Sequence, residues 1–109
     1  MKELLRKHGK EGDNCMINIL TFMHGCKGNW VNKAELSLQK FTYMEGAKVK
    51  RFAPETISRK ARDLAEMGLL QRNEINHTAE YRWPETQEVP RKKEVRIEII
   101  NGVRKAILL

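Results

Sequence analysis

Arg59 and Arg62 lie three residues apart in a stretch that also carries Thr56 and Ser58, with Lys48, Lys50 and Arg51 just before it. A guanidinium presents a planar fork of donors that matches the O6 and N7 acceptors of guanine. Each such bidentate pair is worth about 1–3 kcal/mol of discrimination against a wrong base. Thr56 and Ser58 add hydroxyls at the start of the stretch, where the open N–H groups of a helix bind phosphate. Lys48, Lys50 and Arg51 suit a phosphate backbone, which raises affinity and its salt dependence without choosing a sequence. Lys33 is a further phosphate candidate, and His77 a minor contact. Positive charge is concentrated in two places of the +7 chain: residues 48–62 hold six Lys or Arg against Glu55, a net +5, and residues 89–109 hold six against Glu94 and Glu98, a net +4. Residues 73–88 hold four Glu against Arg82, a net −3.

Other chemistries find no support. The sequence has no Ser/His/Asp set, paired-carboxylate signature, phosphate-binding glycine loop or dinucleotide glycine pattern, so no enzyme, cofactor or small-molecule ligand is expected. Cys15, His24, Cys26 and His77 lack the C-x-x-C or H-x-x-x-H spacing of a zinc site, and no metal is expected. Cys15 and Cys26, if on one helix, stand about 16 Å apart along its axis, too far for a disulfide. They read as reduced core thiols.

A helix has to hold the arginines outward. Over 54–67, Ile57, Ala61, Leu64 and Gly68 fall within a narrow arc at 100° per residue, so the opposite face carries Glu55, Thr56, Arg59, Arg62, Asp63 and Glu66. The same charges form the i,i+4 pairs Glu55–Arg59, Arg59–Asp63 and Arg62–Glu66, a pattern also met on helix faces that merely meet water. Pro54 suits the first turn and Gly68 the residue after the last. Upstream, Asp13 is a good N-cap for a helix lined by Met16, Ile19, Leu20 and Met23. Cys15, Ile17 and Phe22 widen its apolar surface until only Asn14, Asn18 and Thr21 form a polar stripe. Such a helix is buried on several sides, at the domain centre or against a second subunit. Gly25 and Gly28 end it.

Trp30-Val31 reads as a short extended piece, and Asn32 caps a second helix from Lys33 to about Phe41, with Ala34, Leu36 or Leu38, and Phe41 inward. Residues 42–53 have no clear period and read as a basic loop anchored at Phe52. After Gly68, residues 69–75 and 79–83 alternate enough to be two strands joined by Asn76-His77-Thr78, and Pro84 ends the second.

The order helix, short strand, helix, helix, two-stranded hairpin now stands complete. Its run Thr56-Ile57-Ser58-Arg59-Lys60-Ala61-Arg62-Asp63-Leu64-Ala65-Glu66-Met67-Gly68-Leu69-Leu70-Gln71-Arg72, followed by Glu80-Tyr81-Arg82-Trp83, resembles the recognition helix and wing of winged helix-turn-helix regulators, small phage proteins among them. The resemblance is strongest over 54–83, reaches back to Asp13 and gives no account of 89–109. It implies an α+β fold with a three-helix core and a β-wing over 13–84, in a duplex-DNA-binding transcriptional regulator that inserts helix 54–67 into the major groove. Two features depart from the pattern. About a dozen residues separate the second and third helices where the motif has a turn of three or four, which asks for a longer second helix or a basic insertion. The wing is acidic, which leaves recognition to the helix and its basic lead-in.

The remaining segments are additions: a basic N-terminal arm over 1–12, a polar linker over 85–93 and a C-terminal β-hairpin over 94–109. Asn101-Gly102 supplies the two φ > 0 residues of a type I′ turn. In that register Glu98 opposes Lys105, and Val95, Ile97 and Ile99 with Ala106 and Leu108 offer an apolar surface. An isolated hairpin is marginal in water. It must lie on its own domain or pair with a second subunit, unless its Arg91-Lys92-Lys93 lead-in follows DNA; pairing is the favoured expectation, giving a homodimer on two half-sites. At 109 residues, 40% hydrophobic and 32% charged, the chain can bury a core. It has neither an apolar run of membrane-spanning length nor a signal-peptide core, so a cytoplasmic protein without a membrane partner is expected. A second function class stays open: a winged-helix protein-interaction module of a replication or phage assembly complex, binding protein through the acidic wing and apolar hairpin.

Overall fold

The computed structural model describes residues 1–89 and the strand backbones of 95–100 and 103–108. The Asn101-Gly102 turn, the Arg91-Lys92-Lys93 lead-in and Leu109 lie outside the described residues. The fold is α+β, with helices set around antiparallel sheets.

Helix α1, Lys2–Arg6, places Leu5 fully inside the core, and Met1 and Leu4 pack against it. The segment expected as an arm therefore contributes to the core; one apolar turn is too short to show a period before Gly9 and Gly12 interrupt it. Helix α2, Asn14–Gly25, starts at Asp13, whose Oδ1 accepts the Met16 N–H at 3.0 Å. Its Cys15, Met16, Ile19, Leu20 and Met23 are buried at the core's centre, as its sparse polar surface requires.

Strand β1, Val31–Asn32, leads into helix α3, Lys33–Ser37, where Asn32 Oδ1 accepts the Glu35 N–H at 2.8 Å. The helix stops short of the expected Phe41. The Gln39 N–H donates to the Leu36 carbonyl, and the Gln39 side-chain amide takes the Glu35 carbonyl that the next helical turn needs. Leu36 is the buried member of its pair, whereas Leu38 is 75% exposed. Phe41 then meets Phe22 edge-on, with ring centroids 5.9 Å apart.

The expectation of a loop over 42–53 is corrected. Strands β2, Thr42–Glu45, and β3, Lys48–Arg51, form a hairpin in which Thr42 pairs with Arg51 and Glu45 with Lys48. Gly46 takes φ +60° at the first of the two turn positions, which type II′ turns reserve for glycine. At its base the Phe52 N–H donates to the Phe41 carbonyl at 3.0 Å, and the Asn18 side chain of α2 donates to the Thr42 carbonyl at 3.2 Å. Neither face is buried, so no apolar alternation marks these strands in the sequence. The second helix is therefore not extended, and a basic hairpin occupies the span between it and the next helix.

Helix α4, Pro54–Glu66, buries Ile57, Ala61 and Leu64 completely, each larger aliphatic being worth about 1.5–3 kcal/mol. Gly68, at φ +81°, turns the chain toward strands β4, Gln71–Ile75, and β5, Thr78–Arg82. Their link is the two-residue turn Asn76-His77, with φ +50° and +64°, and Thr78 belongs to the strand opposite Ile75. β1 joins the far side of β5, Val31 opposite Tyr81, giving the order β1-β5-β4. Beyond it, Trp83 Nε1 donates to the Gln87 carbonyl at 2.9 Å and the Gln87 amide to the Leu69 carbonyl at 2.8 Å, so Gln87 and Val89 of the expected linker lie against the domain. Strands β6, Val95–Ile100, and β7, Val103–Leu108, pair antiparallel with Glu98 opposite Lys105 and Ile97 opposite Ala106. Among the described residues no helix is long and apolar enough to cross a membrane.

Candidate nucleic-acid interface

With its apolar arc buried, α4 turns its charged face toward the β4–β5 hairpin. Between them lies an open cleft of ≈ 380 Å³ lined by Lys33, Ser58, Arg59, Arg62, Arg72, Glu74 and His77, with Ala79 and Tyr81 behind. Five expected contacts, Lys33, Ser58, Arg59, Arg62 and His77, thus meet in one place although they come from three different elements.

Strand alternation decides which wing residues join them. Arg72 stands opposite Tyr81 and Glu74 opposite Ala79, so these four share the cleft face. Asn73 and Glu80 face away and hydrogen-bond each other at 3.2 Å. Arg82 also leaves, donating to Gln71 and lying over the Trp30 ring at 4.7 Å. The net −3 of this region sums both faces and the segment beyond; the cleft face itself carries Arg72 and His77 against Glu74. Arg72 was missed as a site residue because charge counted along the chain ignores the pleat.

Few acids hold these cations. Arg62 meets Glu66 at 3.6 Å, but both side chains are about two-thirds exposed, so the pair contributes little. Among the described residues Lys33, Arg59 and Arg72 form no ion pair, and the i,i+4 partners Glu55 and Asp63 do not engage Arg59. Thr56 is half-buried and is not part of the cleft lining. Ala53, the N-cap of α4, offers no side-chain acceptor, so first-turn N–H groups are left open.

Lys48, Lys50 and Arg51 lie on β3, outside the cleft. Lys50 pairs with Glu45 at 2.6 Å, and Arg51 lines a second hollow of ≈ 350 Å³ with Leu38, Phe52 and Pro54.

One positioning pair escaped sequence reasoning entirely. Lys60 Nζ meets Asp13 Oδ2 at 2.6 Å, both side chains being largely screened from solvent, so the carboxylate that caps α2 also fixes α4. Burial raises the Asp13 carboxyl, but the Lys60 hydrogen bond, the Met16 N–H and the Lys60 charge outweigh it and hold the group below its ordinary value. Burial, aided by the Asp13 charge, pushes the Cys15 thiol up to about 11. Burial and Glu35 raise Cys26 as well, so both free thiols are protonated and weakly nucleophilic at neutral pH.

No protein-family model, curated protein or solved structure matches the chain.

Proposed function

We propose that the chain is a winged-helix protein that binds duplex DNA, with α4 in the major groove, and regulates transcription. The observation that carries this reading is the cationic cleft, where Lys33, Arg59, Arg62 and Arg72 surround one open trough beside an exposed helix face. The element order and the sheet order β1-β5-β4 support the winged-helix assignment. At thirteen residues α4 is about 20 Å long, with a width that a major groove of about 12 Å admits. In this pose Arg59 and Arg62 address base edges, while Ser58, Lys33 and Arg72 hold phosphates on either side. Thr56 contributes through the open first turn of α4.

The β6–β7 hairpin serves a homodimer that reads two half-sites, because two strands alone do not stay folded in water. Selection of bound sequences from a random duplex library tests the function. The wild type should enrich a palindromic motif containing guanines. Arg59→Ala/Arg62→Ala should lose that enrichment with unchanged thermal unfolding, since both side chains are exposed. Recovery of random sequences by the wild type would overturn the reading.

A further inference from the structure

We infer that the β2–β3 hairpin is a second DNA-contacting element that enters the minor groove next to the α4 site, with Met44 and Val49 against the groove interior and Lys48, Lys50 and Arg51 along its phosphates. This rests on the duplex-DNA reading of α4 and adds a separate surface to it.

Met44 and Val49 are direct cross-strand partners, and each is more than three-fifths exposed, at 62% and 67%. They share a face with Arg51 and Thr42, while Tyr43 on the other face stacks on Phe52 with centroids 4.6 Å apart. Beyond their own cross-strand contact, the fold gains little from an apolar pair held in water near a hairpin tip. It nevertheless anchors the hairpin's base, through Asn18 to Thr42, Phe52 to Phe41 and the Tyr43–Phe52 stack. An isolated two-stranded ribbon is marginal in water, so this anchoring is what keeps the tip presented.

Charge selects the occupant. Arg51 shares the face of the apolar pair, while Lys48 and Lys50, the chain neighbours of Val49, point to the opposite face with Glu45, which pairs with Lys50; the hairpin as a whole carries three cations against one acid. A pair of side chains is far too small an area for a stable protein interface. Apolar side chains flanked by Lys and Arg are, by contrast, the chemistry that minor-groove binders use, contacting or wedging base steps while cations meet the closely spaced phosphates. Reach agrees with this. A four-residue strand projects about 13 Å, enough to cross one sugar–phosphate ridge from the major groove. Only Phe52 and Ala53 separate β3 from α4, so a helix seated in one groove delivers the hairpin to the next.

Competition by distamycin, a minor-groove ligand, tests the inference on an A·T-rich duplex. Wild-type affinity should fall as distamycin is added. Met44→Ser/Val49→Ser, at exposed positions, should keep its circular dichroism, bind roughly tenfold more weakly, as expected for one lost specific contact, and no longer respond to distamycin. Lys48→Gln/Lys50→Gln should reduce the salt slope by about 2. Equal affinity and equal distamycin response in wild type and Met44→Ser/Val49→Ser, alongside loss of binding in Arg59→Ala/Arg62→Ala, overturns the hairpin's role and leaves α4's intact. Absence of duplex binding by the wild type overturns both. A change from dimer to monomer in Met44→Ser/Val49→Ser, with DNA binding unaltered, assigns the pair to a protein contact and also overturns it.

Discussion

Asp13 does two things with one carboxylate, and each is separable by substitution. Oδ1 accepts the Met16 N–H, while Oδ2 meets Lys60 at 2.6 Å. Asp13→Ala loses the cap, worth about 1 kcal/mol, and strands a partly buried ammonium, for a total of about 2 kcal/mol. Asp13→Asn keeps a capping oxygen and loses only the ion pair, so it should fall between. The pH dependence follows from the sign of the shift. Because the folded carboxyl lies below its ordinary value of 3.8, its contribution is fully present above that value and is lost as pH falls through the lower folded value. Urea midpoints measured from neutral pH downward should therefore show the wild type's advantage over Asp13→Asn shrinking only in that acid window. The cap was legible in the sequence because its partner is three residues away. Lys60 was not, since a contact spanning 47 residues leaves no local trace.

At the scale of elements, what could be read depended on which faces are buried. α4 was recovered nearly to its ends because Ile57, Ala61 and Leu64 repeat at helical spacing and Pro54 and Gly68 punctuate it. β2 and β3 carry no strand signature in the sequence because neither of their faces is buried. α3 ends before the sequence pattern does, because Leu38 and Phe41 continue an apparent period that the Gln39 side chain interrupts by taking the Glu35 carbonyl. The β4–β5 turn was read one residue too long for a related reason: His77 occupies a left-handed position, φ +64°, that glycine usually fills. His77→Gly should relieve that strain and raise stability by about 0.5–1 kcal/mol, less than the full left-handed penalty because glycine costs more entropy on folding. A rise in melting temperature with operator affinity nearly unchanged is expected. A fall in affinity of tenfold or more would make the imidazole a principal contact rather than a minor one.

For the whole molecule, the core and the charge pattern set the limits. Leu5 is fully buried together with α2 and α4 residues, and Met1 and Leu4 pack against the same core, so α1 is part of what keeps the domain folded. Leu5→Ala should cost about 2–5 kcal/mol, a large share of the stability of a domain this size, and chemical denaturation measures it directly. The net charge of +7 was visible at once, but only the fold sorts it: Lys33, Arg59, Arg62 and Arg72 to the cleft, Lys48, Lys50 and Arg51 to the hairpin, and Arg82 to Trp30. The most direct measurement of the central claim is duplex-DNA affinity as a function of salt, for the wild type and Arg59→Ala/Arg62→Ala. With Lys33, Arg72, Lys48, Lys50 and Arg51 on phosphates, the slope of log affinity against log salt should be about −4.5, and the variant should lose preference for the selected sequence. A slope near zero, or sequence preference that survives in Arg59→Ala/Arg62→Ala, would contradict major-groove recognition by α4.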